Sequence, residues 1–215
     1  MLKNEDYLNI FHEIKNSITL ISGSLQLMEK KHPEVCNFSY WNDAMSEINF
    51  LKNMVIQLSS ARLCSQLQLA PVNIYSFISQ ISSSIHAFSW NGFDCHITVE
   101  ENLPPVELDP RLIKQAIINI VKNAYEAMGG SGTAEINVSS QNDMVQIAVI
   151  DHGGGLDPAY ADSIFQPFVT SKTGGSGLGL VITRQIIETH KGTLSCDSRP
   201  GDGCTFTVSL PIRQN

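Results

Sequence analysis

Two stretches near the amino terminus carry apolar side chains at alternating spacings of three and four residues. The first stretch runs from about residue 3 to 30 and the second from about 39 to 66. The repeating positions are Tyr7, Phe11, Ile14, Ile18, Ile21, Leu25 and Met28, followed by Trp41, Ala44, Ile48, Leu51, Val55 and Leu58. This heptad spacing predicts two helices, and Pro33 between them indicates an antiparallel hairpin. One hairpin cannot bury both seams, so the pattern predicts a homodimer in which two hairpins form a four-helix bundle.

Beyond residue 72 the chain mixes helical and strand patterns. Helices are predicted at about 73–88, 109–128 and 177–190, and strands at about 93–100, 133–140, 143–151, 192–198 and 203–210. Asp109 is predicted to cap the second of these helices, with Pro110 at its first position. The order of elements predicts an α+β protein whose second part is an α/β sandwich, with helices on one face of one sheet. We therefore expect a helical hairpin at 1–68, a linker at 69–72 and a mixed domain at 73–215.

The composition of the chain excludes some classes of partner and indicates its cellular compartment. A formal charge of -7 without any basic run argues against a nucleic-acid surface. The five cysteines are odd in number and form no Cys-x-x-Cys pair, which favours reduced thiols in the cytoplasm over a zinc site or disulfides. No apolar run approaches the ~18 residues that cross a bilayer, so we expect no direct membrane insertion. Only eleven residues precede His12, so a sensor domain is expected either on a separate protein or in a missing part of a longer one.

Amide side chains and a carboxylate interrupt the apolar pattern at two places in the mixed domain. Asn119 and Asn123 are four residues apart, so they share one face of a predicted helix whose other residues are largely apolar. Amides in such surroundings need polar partners, and a hydrated magnesium ion is a suitable one. Asp151 ends an apolar strand and precedes Gly153 and Gly155. A carboxylate there can accept a hydrogen bond from an exocyclic amine, and the glycines let the backbone approach a planar base.

A glycine-rich segment follows, at residues 174–179, directly before a predicted helix. Glycines permit tight turns, and the backbone N–H groups at a helix start favour phosphate. A single such loop is weak evidence, but three elements in this order within about 60 residues predict a nucleotide pocket.

These three elements resemble the N, G1 and G2 boxes of the ATP-binding domain of sensor histidine kinases. The segment at 11–16, Phe-His-Glu-Ile-Lys-Asn, resembles the H box of the same family, and the segment at 164–172 resembles the F box of the ATP lid. The resemblance covers about residues 3 to 212 and implies an ATP-binding domain of the GHKL (Bergerat) type. It also implies ATP and Mg²⁺ as cofactors, with Asp151 on the adenine amino group, Asn123 as a metal ligand and Asn119 near the outer phosphates. The full set of expected nucleotide contacts is Asn119, Lys122, Asn123, Asp151, Gly153, Gly155, Lys172, Gly175, Gly177, Leu178 and Gly179.

Two lysines in that set keep an alternative interpretation. Lys122 either reaches phosphate or is solvated on the helix surface. Lys172 lies in the segment that resembles the lid, where it either approaches the γ-phosphate or remains a solvated loop charge.

The H-box resemblance implies catalytic roles for three residues. His12 would accept the phosphoryl group, Glu13 would orient the imidazole and accept its proton, and Asn16 would orient water to dephosphorylate a partner. Ser17 stands where many family members have a proline, which puts the bending of the first helix in question. Gyrase and the Hsp90 chaperones carry a glutamate at the place of Asn119, and this glutamate is the base that activates water for hydrolysis. An amide such as Asn119 cannot act as that base.

The resemblance implies a histidine protein kinase that passes phosphate from ATP to His12 and then to an aspartate on the receiver domain of a response regulator. Two other classes remain open at this point. One is a dimeric phosphotransferase or scaffold that does not use ATP, which should have lost parts of the boxes. The other is a GHKL ATPase or an anti-sigma type of serine kinase, which would lack the hairpin with its H box.

Overall fold

The structure is a computed structural model that describes most of the mixed domain and much of the hairpin. The described residues are 17–18, 20–21, 23–25, 27–64, 67–88, 90–157, 163–166, 169 and 179–214. His12, Glu13 and Asn16 therefore lie outside the described residues. So do Lys172, Gly175, Gly177 and Leu178.

Where the structure describes it, the amino-terminal part is helical in both stretches that the heptad spacing predicts. The described residues between 17 and 31 are helical (α1), a short 3₁₀ helix follows at Pro33–Asn37, and α2 spans Trp41–Cys64. Several apolar side chains of this part are exposed within the single chain, namely Leu20, Ile21, Leu27, Met28, Phe38, Tyr40 and Leu51. Among the described residues, no helix combines the length and apolar content needed to span a membrane.

A five-stranded mixed sheet is the centre of the second part. Its strands are β2 (Phe93–Val99), β4 (Gly132–Gln141), β5 (Met144–Asp151), β6 (Thr193–Arg199) and β7 (Gly203–Pro211). They lie in the order β2-β4-β5-β7-β6, with β2 parallel to β4 and the other neighbours antiparallel. Every second residue of β5 is buried, which is the period expected of a sheet with one covered face.

Three helices cover this sheet: α3 (Ile74–Ala87), α4 (Pro110–Ala127) and α5 (Gly179–Thr189). Their apolar faces and the inner face of the sheet share one core, which includes Phe77, Ile117, Ile147, Ile186 and Val208. The side chains of Asn73 and Asp109 cap α3 and α4 by accepting hydrogen bonds from the backbone N–H groups of Ser76 and Arg111. The α+β architecture and the Asp109 cap predicted from the sequence are confirmed.

Aromatic side chains close the end of the core where α3 meets α4. Trp90 stacks on Phe88 with ring centroids 5.0 Å apart and on Tyr125 of α4 at 4.6 Å. Phe93 meets both Trp90 and Tyr125 edge to face. This aromatic cluster ties the start of β2 to the second half of α4.

The segment expected to be a linker contains a strand. Ala70–Val72 forms β1, which pairs antiparallel with β3 at Val106–Leu108, in the register Ala70 to Leu108 and Val72 to Val106. Neither strand was expected, because each has only three residues and prolines stand within or just before them. Pairing with a distant segment supplies the hydrogen bonds that no local pattern shows.

Candidate nucleotide site

Helix α4 presents Asn119 toward α5. The Asn119 Nδ2 atom donates a hydrogen bond to Thr183 Oγ1 at 3.0 Å, and Thr183 is buried. This contact sets the orientation of the carboxamide, because its amino end is held by α5. Thr183 had not been singled out in the sequence, although its position four residues after Gly179 places it on the first turns of α5.

The last glycine of the glycine-rich segment touches the same asparagine. An alanine Cβ at Gly179 would lie 2.8 Å from Asn119 Oδ1 and 3.1 Å from Nδ2. Glycine therefore lets the start of α5 lie directly against the Asn119 side chain. The N-box-like helix and the G2-like segment, which are about 60 residues apart in sequence, meet at this point.

Asn123 and Lys122 follow on the same helix. Asn123 is half-buried. Lys122 is exposed and its Nζ lies 3.8 Å from Glu126 Oε1, one helical turn further on. The sequence leaves two roles open for Lys122, namely phosphate binding and a solvated position on the helix surface. This ion pair is compatible with the solvated position.

Asp151 is the buried carboxylate of the site. It ends β5 with 3% of its surface exposed, and its Oδ1 accepts a hydrogen bond from the backbone N–H of Gly153 at 3.0 Å. Its strand partner is Cys204 of β7. An acceptor held at a strand end by its own turn is suited to the exocyclic amine of a base, as the sequence suggested.

The glycines after Asp151 are packed against two other parts of the domain. A Cβ at Gly153 would lie 2.7 Å from the Ala127 carbonyl oxygen at the end of α4. Gly155 has φ +71°, and a Cβ there would collide with the Arg199 carbonyl oxygen. Their immediate function in the structure is thus to let the turn lie against α4 and against the β6–β7 turn.

The β6–β7 turn supports the Asp151 turn through hydrogen bonds. Gly201 N–H donates to the Gly154 carbonyl at 2.8 Å, and Leu156 N–H donates to Ser198 Oγ at 2.8 Å. Gly203, at φ +87°, approaches the Asp151 carbonyl so closely that no side chain fits. Ser198 and Gly201 were missed from the sequence, because a serine and a glycine in a hairpin carry no recognisable motif.

Two thiols lie on the strands that flank this turn, Cys196 on β6 and Cys204 on β7. Interaction with the neighbouring Cys196 thiol lowers the pKa of Cys204 to about 7 against the opposing effect of burial. The same interaction, together with burial, raises the pKa of Cys196. From the sequence alone, both residues are expected only to be scattered reduced thiols.

Part of the lid-like segment is described next to α5. Ile164 is buried, and the Phe165 ring lies 5.5 Å from the Arg184 guanidinium carbon. Phe165 packs against the core from the edge, as expected of an apolar anchor for a lid.

Both glycine motifs therefore contact α4: Gly153 at its carboxyl end and Gly179 beside Asn119. The polar groups here fit an adenine nucleotide with its metal ion. The buried Asp151 carboxylate can accept a hydrogen bond from adenine, and the amide oxygens of Asn119 and Asn123 are of the type that binds Mg²⁺. The described parts of the three elements, namely α4, the Asp151 turn and Gly179, therefore lie together in space.

Comparison with known proteins gives the class. Residues 108–214 match the family described as histidine kinase-, DNA gyrase B- and HSP90-like ATPases. Over 204 residues the chain is 32% identical to sporulation kinase A of Bacillus subtilis strain 168, covering 94% of this chain and 33% of that protein. The chain spans 28% to 48% of the lengths of the bacterial kinases with which it aligns first.

Solved structures agree with this class. The catalytic domain of histidine kinase ThkA superposes with a TM-score of 0.61 at 30% identity, covering 67% of this chain and 96% of that domain. ThkA in complex with the response regulator protein TrrA gives 0.63 at 26% identity, covering 98% of this chain and 62% of that one. Full-length ShkA in complex with AMPPNP shares the fold, with a TM-score of 0.74 at 23% identity over 100% of this chain and 47% of that one.

The fold and the site thus define an ATPase domain of the histidine kinase, gyrase and Hsp90 class. The chain belongs to the sensor histidine kinases, of which it represents a catalytic core.

Proposed function

We propose that this chain is an ATP-dependent histidine protein kinase that transfers the γ-phosphoryl group of ATP to His12 and then to an aspartate of a response regulator. The observation that carries the proposal is the Asn119 side chain, which is an amide held by Thr183 Oγ1 beside the start of α5. An amide cannot deprotonate water, so a site built around it favours transfer to a protein group over hydrolysis.

ATP would bind along α4 between the two glycine motifs. Asp151 would accept a hydrogen bond from the adenine amino group, while Gly153 and Gly155 keep its turn in place. Asn123 would be the protein ligand of Mg²⁺, whose positive charge would neutralise the phosphates. Asn119, Lys122, Lys172 and the backbone of 175–179 would orient the phosphates.

Phosphoryl transfer would then depend mainly on positioning. Neutral imidazole is a nucleophile, and Glu13 would orient the His12 ring and accept its proton. The γ-phosphorus–oxygen bond breaks as the nitrogen–phosphorus bond forms, and ADP leaves with the electron pair. A receiver aspartate would take the group from His12 in a second transfer. The complex of ThkA with its response regulator supports a partner of this kind.

A labelling experiment tests the proposal. The purified chain with Mg²⁺ and γ-labelled ATP should acquire label that acid removes, because phosphohistidine is acid-labile. His12→Ala should abolish the label, whereas His32→Ala should retain it, since His32 lies on the surface and is paired with Glu34 at 3.0 Å. Label in His12→Ala at the level of the unaltered chain would refute the proposal.

The same experiment separates the other classes. A scaffold that does not use ATP would take up neither nucleotide nor label. An ATPase of the gyrase type would release phosphate without labelling protein, and a serine kinase would give acid-stable label on a partner.

Asn16 would make the enzyme bifunctional by orienting the water that dephosphorylates the response regulator. An Asn16→Ala variant should keep autophosphorylation and lose this phosphatase activity. Unchanged phosphatase activity in that variant would contradict the role.

The hairpin would join two copies of the chain. The exposed apolar side chains on α1, among them Ile21 and Met28, support a partner that covers them. Ile21→Asp should shift the sedimentation of the chain toward the monomer, whereas Ser24→Asp, on an exposed position outside the seam, should not. Equal sedimentation of both variants would argue against a bundle dimer.

A further inference from the structure

The Asp109 carboxylate is shared between the start of α4 and the segment that leaves the hairpin. It is fully buried, and each of its oxygens accepts two hydrogen bonds. Oδ1 accepts from the backbone N–H of Arg111 at 3.1 Å and from Arg111 Nε at 3.2 Å. Oδ2 accepts from Arg111 Nη2 at 2.9 Å and from the backbone N–H of Gln68 at 3.0 Å. A helix cap needs only the first of these bonds.

The bond to Gln68 fixes the chain just beyond the hairpin. Helix α2 ends at Cys64, and Gln68 precedes β1 by two residues. The pairing of β1 with β3 continues the attachment, because β3 ends at Leu108, next to Asp109. The hairpin exit is therefore joined to the first residues of α4 by a charged hydrogen bond and a short ladder.

The backbone of Asp109 is also held by His190, the residue that directly follows α5. Its N–H donates to His190 Nε2 at 2.9 Å, and His190 Nδ1 lies 2.8 Å from the Ile186 carbonyl oxygen. Since Nδ1 must donate to that carbonyl, the imidazole is neutral and its Nε2 is the acceptor. The hairpin exit, the start of α4 and the end of α5 thus meet at one residue.

The position of this junction gives it a consequence for the site. Asn119 lies ten residues along α4 from Asp109, or about 15 Å at the helical rise. Because α4 and α5 pack on each other, the junction at Asp109 fixes the position of Gln68 relative to Asn119 and Asn123. A phosphoryl group can pass from the nucleotide to a histidine of the hairpin only when the reacting atoms are placed to within about 1 Å.

We propose that Asp109 is a positioning residue that anchors the hairpin exit to the metal-binding helix and thereby sets the approach of the hairpin histidine to the γ-phosphate. This inference rests on the proposed function for its catalytic consequence, whereas the anchor itself is a property of the fold. Asp109 would act through the Gln68 N–H and α4 rather than by touching the reacting groups.

The test uses a matched pair at residue 68 in the full chain. Gln68→Pro removes the N–H that Asp109 accepts, and Gln68→Ala removes only the side chain. We expect Gln68→Pro to lower kcat for autophosphorylation about tenfold while KM for ATP changes less than about twofold, because delivery and not nucleotide binding is impaired. Gln68→Ala should match the unaltered chain in both constants.

A second variant and a second readout do not depend on how a proline fits. Asp109→Asn keeps a cap-competent oxygen but replaces one acceptor by an amino group. Exchange of the Ala70 and Val72 amide hydrogens should accelerate about tenfold in Gln68→Pro and in Asp109→Asn, but not in Gln68→Ala. Thermal unfolding of all variants controls for loss of the fold.

Each outcome has one meaning. Equal kcat and equal exchange in Gln68→Pro and Gln68→Ala would overturn the inference. A parallel loss of Tm, ATP affinity and kcat in Gln68→Pro and Asp109→Asn would overturn it as well, because Asp109 would then only stabilise the domain. If the unaltered chain forms no phosphohistidine, the proposed function fails and the catalytic role of Asp109 falls with it, while the exchange rates alone decide whether the anchor exists.

Discussion

Gly179 and Asn119 lie so close that a Cβ on the glycine would be 2.8 Å from the asparagine Oδ1 atom. The same asparagine is held from its other end by Thr183, one turn further along α5. The absence of a side chain at Gly179 and the fixed orientation of the Asn119 amide therefore belong to the same contact between α4 and α5. The contact explains why the glycine-rich segment must end in glycine where the helix begins.

Replacing Gly179 by alanine should destabilise the domain through this contact. We expect the free energy of unfolding in urea to fall by about 1–3 kcal/mol, because the Asn119 side chain must move and strain its bond to Thr183. In an Asn119→Ala background the same replacement should cost less than about 1 kcal/mol, since the clashing atoms are gone. An equal cost in both backgrounds would show that the contact is not the cause.

The two neighbouring glycines after Asp151 should respond differently to alanine. A Cβ at Gly153 would lie 2.7 Å from the Ala127 carbonyl, whereas a Cβ at Gly154 meets nothing within 4 Å. Gly153→Ala should weaken Mg²⁺–ADP binding about tenfold in calorimetry, because the turn that carries Asp151 must shift. Gly154→Ala is the matched control and should bind as the unaltered chain does. Equal binding by the two variants would contradict the prediction.

The carboxylate of Asp151 should be needed for adenine nucleotides. An asparagine in its place offers one acceptor oxygen, which the Gly153 N–H already uses in the present geometry. We expect Asp151→Asn to weaken ADP binding at least about tenfold and to abolish the rise in Tm that ADP produces. Asp197→Asn, on the exposed side of β6, should leave both unchanged. Retained ADP binding in Asp151→Asn would remove Asp151 from the site.

Stability should fall as the pH is lowered, in two steps that belong to His190 and Asp109. Burial lowers the pKa of His190 despite its contact with the Ile186 carbonyl and the nearby Asp109 carboxylate. Burial acts to raise the pKa of Asp109, but the hydrogen bonds from Arg111 and Gln68 outweigh it and the pKa is lowered. In both cases the unfolded chain binds the proton first, so the free energy of unfolding drops as the pH falls below about 6.5 and again below about 4.

The upper step can be assigned with one variant. A glutamine oxygen at residue 190 can accept from the Asp109 N–H but does not titrate, so His190→Gln should flatten the stability profile just below about pH 6.5. Urea unfolding across that range measures the effect. An unchanged slope in His190→Gln would mean that other groups cause the upper step.

The elements that the sequence predicts best are those whose pattern is local and repeated. Helix α4 has a capping aspartate, a proline at its first position and an apolar stripe, and its observed span of Pro110–Ala127 lies within two residues of the expected one. The same holds for β5, in which every second residue is buried. These elements depend on capping and on periodicity, which a single sequence shows directly.

What the sequence could not show are pairings between distant segments. Strands β1 and β3 exist because residues 70–72 meet residues 106–108, and neither has enough alternation to be recognised alone. Thr183 and Ser198 support the site through hydroxyl contacts with distant residues, which leave no spacing rule in the chain. The roles of the site residues themselves rest on chemistry and resemblance, and they stay predictions until the variants above are measured.

The aromatic cluster gives the molecule an optical reporter. The chain contains two tryptophans, and Trp90 stacks on Tyr125, two residues beyond Asn123 on α4. With Trp41 of the hairpin changed to phenylalanine, all indole emission comes from Trp90. Any tilt of α4 that accompanies occupancy of the pocket would then change the wavelength or intensity of that emission, so titrations can be followed without an attached dye.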